Sequence, residues 1–228
     1  THRFFTGDYQ STLISAAAYT STFPNPLVST VANDPAVPGD PLKLAAAHFG
    51  YHQKSGLLAV ATARPPVLSP PPLNDAVLLK FNPAGGGISP NSPYFLKNTA
   101  VQGTANQGIY DIEFSPSGKY IYYTVFDNTD PEFPSGLYRI DWNSIVSNTP
   151  VPVVNSGLTG SFGLQTGPDG KLYHLYRSGG QIRMASIDDP DAAQVTDIGY
   201  KAGVFGTWGG TQFPAVPPES DYSLSVTV

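Results

Sequence analysis

The stretch Tyr120-Ile-Tyr-Tyr-Thr-Val-Phe126 constrains the fold more than any other part of the chain. Side chains alternate between the two faces of a strand. Tyr120, Tyr122, Thr124 and Phe126 therefore share one face, and Ile121, Tyr123 and Val125 the other. Both faces are apolar or aromatic, so the strand needs cover on both sides rather than water on one. A sheet stacked between two other sheets supplies it. The strand belongs to Gly108–Ser147, three β-type runs joined by turn signals, and a shorter version of the pattern returns at Gly163–Ile187.

The turns sharpen this reading. Ser115-Pro-Ser-Gly118 and Gly167-Pro-Asp-Gly170 each set Pro where φ is held at about −65° and Gly where φ turns positive. They predict type I turns with a bulge and a tight hairpin. An earlier unit has predicted strands at Lys43–Phe49, Leu57–Ala63 and Ala76–Phe81, with a turn at His52–Gly56 and a stiff, Pro-rich loop over Arg64–Asn74. The turn glycines 56, 118 and 170 lie 62 and 52 residues apart, and a period of about 40–50 with insertions is the spacing of propeller blades. Helical periodicity is absent. The predicted class is all-β: a β-propeller or partial propeller, with three clear four-stranded antiparallel blades within residues 41–214. Residues 1–40, broken by Phe23-Pro-Asn-Pro26 and Asn33-Asp-Pro35, read as an irregular arm or the remnant of an earlier blade. Residues 215–228, where Ser223–Val228 alternates, read as a closing strand or a linker to a following domain.

Charge excludes some partners. With 12 Lys and Arg against 17 Asp and Glu, and no basic run, nothing favours nucleic acid or an anionic membrane surface. No apolar stretch approaches the roughly 20 residues of a spanning helix, so no membrane insertion is expected. Zero cysteines exclude disulfides, thiolate metal sites and cysteine nucleophiles. Only 13% of residues are charged, so the surface relies on Ser, Thr, Asn, Gln and Tyr, as proteins facing the cell exterior commonly do. Asn91-Ser-Pro, Asn98-Thr-Ala and Asn148-Thr-Pro all miss the glycosylation pattern, which favours a bacterial source. A chain starting at Thr1 without Met reads as a mature segment or fragment.

Phe114-Ser-Pro-Ser-Gly-Lys-Tyr-Ile-Tyr122 resembles the F-S-P-D-G-K-x-[LI]-Y signature of bacterial propellers, TolB-like and lactonase-like ones included. A longer series covers about Gln107–Pro214. It comprises Gly108-Ile-Tyr110, the Phe114 motif, Leu137-Tyr-Arg-Ile-Asp141, Gly163-Leu-Gln-Thr-Gly-Pro-Asp-Gly-Lys-Leu-Tyr173, Ile187-Asp-Asp-Pro-Asp191 and Thr211-Gln-Phe-Pro214. In that order it is similar to the propeller preceding PKD-type repeats in gliding-motility-associated surface proteins of Bacteroidota. Thr211-Gln-Phe departs from the Leu-Pro-x-Phe of that family, and its N-terminal blades have no counterpart in residues 1–40. The resemblance implies export by the type IX route and display on the cell surface. It also implies a non-enzymatic part in adhesion or assembly, through domains or chains that complete or flank the propeller, or through glycans. It supplies no catalytic residues. Two alternatives stand beside it: a lactonase- or lyase-like propeller enzyme with a divalent metal at the channel mouth, and a carbohydrate-binding module.

Candidate chemistry is sparse. Asp127, Asn128, Asp130 and Glu132 place oxygen donors in one loop, which suits Ca²⁺ but lacks the EF-hand pattern and equally suits turn capping. Asp188-Asp-Pro-Asp191 is a weaker case of the same kind. His48 and His52 would sit about 13 Å apart on a strand, too far for one metal. His174 alternates with Leu172 and Tyr176, which predicts a buried, hydrogen-bonded ring. Asp111 and Glu113 share a strand face, where acid–base work on sugars competes with a rim salt bridge. Gly85-Gly-Gly87 lacks the Lys and helix of a phosphate loop. Trp208, set among glycines, is the aromatic residue most expected to be exposed and to contact a ligand.

Overall fold

The computed structural model describes residues 2–5, 8–11, 27–30, 46–52, 54–63, 76–82, 87–88, 94–96, 108–126, 135–142, 150–154 and 157–214. These residues form antiparallel sheets. Sheet I holds β1 (His2–Phe5), β2 (Asp8–Ser11) and β3 (Leu27–Thr30). Sheet II is five-stranded: β4 (Ala46–His52), β5 (Leu57–Ala63), β6 (Ala76–Asn82) and β7 (Gly87–Ile88) in order, with β8 (Tyr94–Leu96) also paired to β6. Sheet III consists of β9 (Gly108–Phe114), β10 (Tyr120–Phe126), β11 (Gly136–Asp141) and β12 (Val151–Val154), in the order β12-β11-β10-β9. Sheet IV runs β13 (Gly160–Thr166), β14 (Leu172–Ser178), β15 (Gln181–Ile187) and β16 (Tyr200–Phe205). Among the described residues no helix is long and apolar enough to cross a membrane.

The expectation of a propeller is corrected. The all-β class stands, but among the described residues the strands divide into sheets of three, five, four and four strands with no propeller architecture, not into equal four-stranded blades about an axis. The reason is physical. Strands apolar on both faces and recurring hairpin turns demand that each sheet be covered, and stacking unequal sheets meets that demand without a ring. Residues 1–40 contribute β1 to β3, and the rest of that segment and residues 215–228 lie outside the described residues.

Sheet III is the middle layer. Ile121, Tyr123 and Val125 of β10 join Ile109, Ile112, Tyr138 and Ile140 against Leu57, Ala59, Ala61 and Leu78 of sheet II. On the other face Tyr120, Tyr122 and Leu137 pack with Leu164, Leu172, Ile187 and Ile198 on the side of sheet IV. The two faces read from the sequence are thus each buried, and Tyr122 and Tyr123 are fully so. Aromatic rings contribute large apolar area to such contacts, and Tyr123 stacks on Tyr138 with centroids 5.7 Å apart.

The hairpins form where their turn residues predict. Gly118 N donates to Ser115 O (2.8 Å) and Gly170 N to Gly167 O (3.0 Å), with φ of 73° and 75° at the glycines. β4 begins at Ala46 and ends at His52, three residues beyond the predicted Lys43–Phe49, and so carries Gly50 inside a strand. A Cβ there would lie 2.7 Å from the Ile112 carbonyl oxygen, so only glycine lets sheet II approach β9 this closely. Gly50→Ala is expected to force the two sheets apart and destabilise the chain by about 1–3 kcal/mol. Urea unfolding followed by tyrosine fluorescence checks it.

Candidate functional site

The site that concentrates buried chemistry is the junction of sheets III and IV, where the terminal strand β9 faces the terminal strand β13. Terminal strands leave backbone donors unpaired. Two carboxylates answer them. Asp111 is buried, and its Oδ2 accepts the Leu164 N–H across the junction at 2.8 Å while Oδ1 accepts the Ile112 N–H at 2.8 Å. Glu113, half-buried, accepts the Phe114 N–H at 2.9 Å through Oε1. Thr166 of β13 donates its hydroxyl across the junction to the Phe114 carbonyl (3.2 Å). The pair is therefore part of an inter-sheet strap. Burial pushes the Asp111 carboxyl up to about 7, against the lowering effect of the Leu164 and Ile112 N–H bonds. It pushes Glu113 up to about 8, with the nearby Asp111 adding to the rise.

Both junction strands are bulged at this level. β9 skips a residue between the pairs Thr124↔Asp111 and Val125↔Ile109, which frees Tyr110 from the ladder. Tyr110 then meets Phe162 edge-on at 5.5 Å and hydrogen-bonds Thr211 Oγ1 at 2.9 Å. β13 is irregular between Ser161 and Leu164, and there the Gly163 N–H donates to the Thr211 carbonyl at 3.0 Å. Residues 211–214 meet β13 at Gly163 and Gln165, and the Asp111 carboxylate meets it between them at Leu164.

Behind β13 lies His174, fully buried as its alternation predicts. Nε2 is 2.8 Å from Ser161 Oγ and Nδ1 is 3.2 Å from Tyr200 OH. Burial holds the imidazole down to about 3, and it raises the Tyr200 phenol. Ser161 is itself buried, so this Ser–His contact has no open face for a substrate.

Asp188-Asp-Pro-Asp191 docks across sheets instead of gathering an ion. Asp188 is held by Lys171 (2.9 Å) and by Lys201, which keep its carboxyl below the usual range. Asp191 caps the Ser117 N–H and hydroxyl of the β9–β10 turn. The following carbonyls are taken by sheet III. Tyr122 OH donates to Pro190 O (2.8 Å), and Arg139, stacked at 4.0 Å over the Tyr120 ring, donates to Ala192 O (2.7 Å) and Ala193 O (3.0 Å). Buried Arg139 pairs with Tyr122 across the β10–β11 ladder, so its orientation follows from the register.

Trp208 is half-buried. It donates its backbone N–H to Ile182 O (2.9 Å), lies 5.9 Å from the Phe213 ring, and closes a cluster with Phe162, Leu175 and Met184. Asp127, Asn128, Asp130 and Glu132 fall outside the described residues. Sequence reasoning also missed β16, whose glycine and lack of alternation hid a strand. Among the described residues it is the edge strand of sheet IV, exposed over Lys201–Phe205, with Val204 and Phe205 37% and 58% exposed.

Two outcomes check this geometry. Arg139→Met is expected to cost about 1.5–3 kcal/mol by losing charged hydrogen bonds, and Arg139→Lys to recover little because an ammonium lacks the planar fork. The histidine sets an acid limit. Its folded value lies below the ordinary 6.5, so stability present above pH 6.5 is lost as pH falls toward about 3. The slope reaches at most about 1.4 kcal/mol per pH unit. His174→Gln is expected to flatten that limb in melts recorded from pH 6.5 downward.

No family model matches the chain, and no curated protein matches it. Solved structures similar to the chain include an iodide structure and a calcium structure of the Trichoderma reesei carbohydrate-active enzymes family AA12. Identity is 13% with a TM-score of 0.46 for the first, and 12% with 0.47 for the second. Each alignment covers 90% of this chain and 58% of the other, so the chain spans less than two thirds of their length. At this level of likeness the chemistry of those enzymes does not transfer.

Proposed function

We propose that the chain is a non-enzymatic binding module that assembles with another protein at the cell surface, through the edge strand of sheet IV. The exposed edge strand β16 carries this reading, with Val204 and Phe205 adjacent and turned to solvent. An edge strand with unpaired backbone groups takes an added strand readily, and strand addition gives affinity through the main chain and selectivity through alternate side chains. Gly203, at φ 68°, bends the strand so that an incoming segment engages its last residues first. A surface polar through uncharged residues supports the setting outside the cell. The partner is an extended, apolar segment of another polypeptide.

In the same reading, Asp127, Asn128, Asp130 and Glu132 supply oxygen ligands by which Ca²⁺ would stiffen the β10–β11 connection. Elemental analysis after dialysis against trace Ca²⁺ is expected to give one ion per chain, lost in Asp127→Ala/Asp130→Ala. Zero calcium in the parent chain removes the ion from the proposal.

Selection of a displayed peptide library on the purified chain tests the edge itself. Enriched peptides are expected to alternate apolar residues, and to bind Phe205→Lys and Val204→Lys at least about tenfold more weakly, as for a central interface anchor. Peptides that bind both variants as well as the parent chain would refute the β16 edge as the docking surface.

A further inference from the structure

We propose that Asp111 and Glu113 act as a pH-sensitive catch between sheets III and IV, closed while the pair retains a proton and loosened when both carboxyls ionise. The geometry is specific. Of two residues on one face of β9, Asp111 reaches the backbone of β13 at Leu164, and beside Glu113 the Phe114 carbonyl receives the Thr166 hydroxyl of β13. Each also accepts an N–H of its own strand, at Ile112 and Phe114. A single carboxylate at this junction is served by N–H donors. Two ionised ones on the same strand face repel each other, and Asp111, which is buried, also forfeits hydration.

Among the described residues, the groups near the pair include the following. β9 contributes Tyr110, and β10 contributes Thr124, whose hydroxyl accepts the Asp111 N–H at 3.1 Å. From β13 come Gln165 and Thr166. From β4 come Tyr51 and His52, the latter bonded to Ser55 Oγ at 2.8 Å and to the Pro116 carbonyl at 3.3 Å, with its ring 5.9 Å from Phe114. Thr211 and Gln212 approach through the Tyr110 hydroxyl. His174, behind β13, titrates in the opposite sense and at lower pH.

Linkage fixes the direction. Both carboxyls hold their proton more tightly in the folded chain than in the unfolded one, with values of about 7 and 8 against ordinary ones near 4. Their contribution is therefore complete at low pH and is lost as pH rises through the folded values. Across the folded values of about 7 and about 8, stability and junction contact are expected to fall together. Because the junction joins sheet III to the sheet that ends in β16, its loosening would reach the proposed docking edge. The catch itself does not depend on that reading.

The test is amide hydrogen exchange and thermal melting of the full chain from about pH 6.5 to 8.5, with exchange normalised to intrinsic rates. Protection at Leu164 and Thr166 is expected to fall at least about tenfold across this range, and the melting temperature to fall by about 5 °C or more. In Asp111→Asn/Glu113→Gln both trends are expected to flatten. Equal pH slopes in parent and variant would overturn the proposal. Should the variant fail to fold, a ¹³C-carboxyl titration of the parent decides. A later midpoint of the pair above about pH 6.5 upholds the catch, and one at or below it refutes the catch.

Discussion

Everything in this structure is arranged around a sheet that cannot face water on either side. β10 places tyrosines on both of its faces, and two of them are wholly buried. At about 25 cal/mol per Å² of apolar surface, leaving either face open would forgo several kcal/mol. Sheet II covers one side and sheet IV the other. Burial also dictates what the polar groups must do. Each tyrosine hydroxyl and each strand end that enters the stack has to bring or find a partner, because an unmade buried hydrogen bond costs more than a made one returns.

That requirement explains the two polar seams between sheets III and IV. At one, Arg139 and Tyr122 consume the carbonyls of Pro190, Ala192 and Ala193, so a loop of sheet IV closes over the face of sheet III. At the other, Asp111 and Glu113 satisfy N–H groups that terminal strands would leave open. Carboxylates are well suited as acceptors and poorly suited to burial. The result is a junction whose donors are satisfied but whose acids hold protons near neutral pH. His174 bears the opposite cost deeper in sheet IV, neutral between a serine and a tyrosine hydroxyl.

Some of this was legible in the residues. The alternation over Tyr120–Val125 assigns both faces of β10 as they occur, and Pro and Gly in Ser115–Gly118 and Gly167–Gly170 locate both hairpins. The alternation of His174 with apolar neighbours predicts its burial. The propeller was misread because cover on both faces is a local demand, whereas closure about an axis depends on how many sheets meet and at what angle. β12 and β16 were missed for local reasons: Val151-Pro-Val-Val154 contains a proline, and Tyr200-Lys-Ala-Gly-Val-Phe205 has no regular alternation and a glycine at positive φ. Both are edge strands, where such residues are tolerated. Asp111 and Glu113 were noticed as a pair on one face, but nothing in their spacing says that Leu164 lies opposite.

The amino-acid sequence by itself determined the strands with strong alternation, the hairpins between them, and the need for a sheet buried front and back. Those properties arise from side-chain periodicity and backbone preference over a few residues. Tertiary structure alone decided the number and order of strands in each sheet, the docking of the 188–193 loop on Arg139, and the partners of Asp111, Glu113 and His174. Those depend on residues some 13 to 74 positions apart in the chain meeting in space, and no local pattern encodes which distant backbone group a buried acid will face.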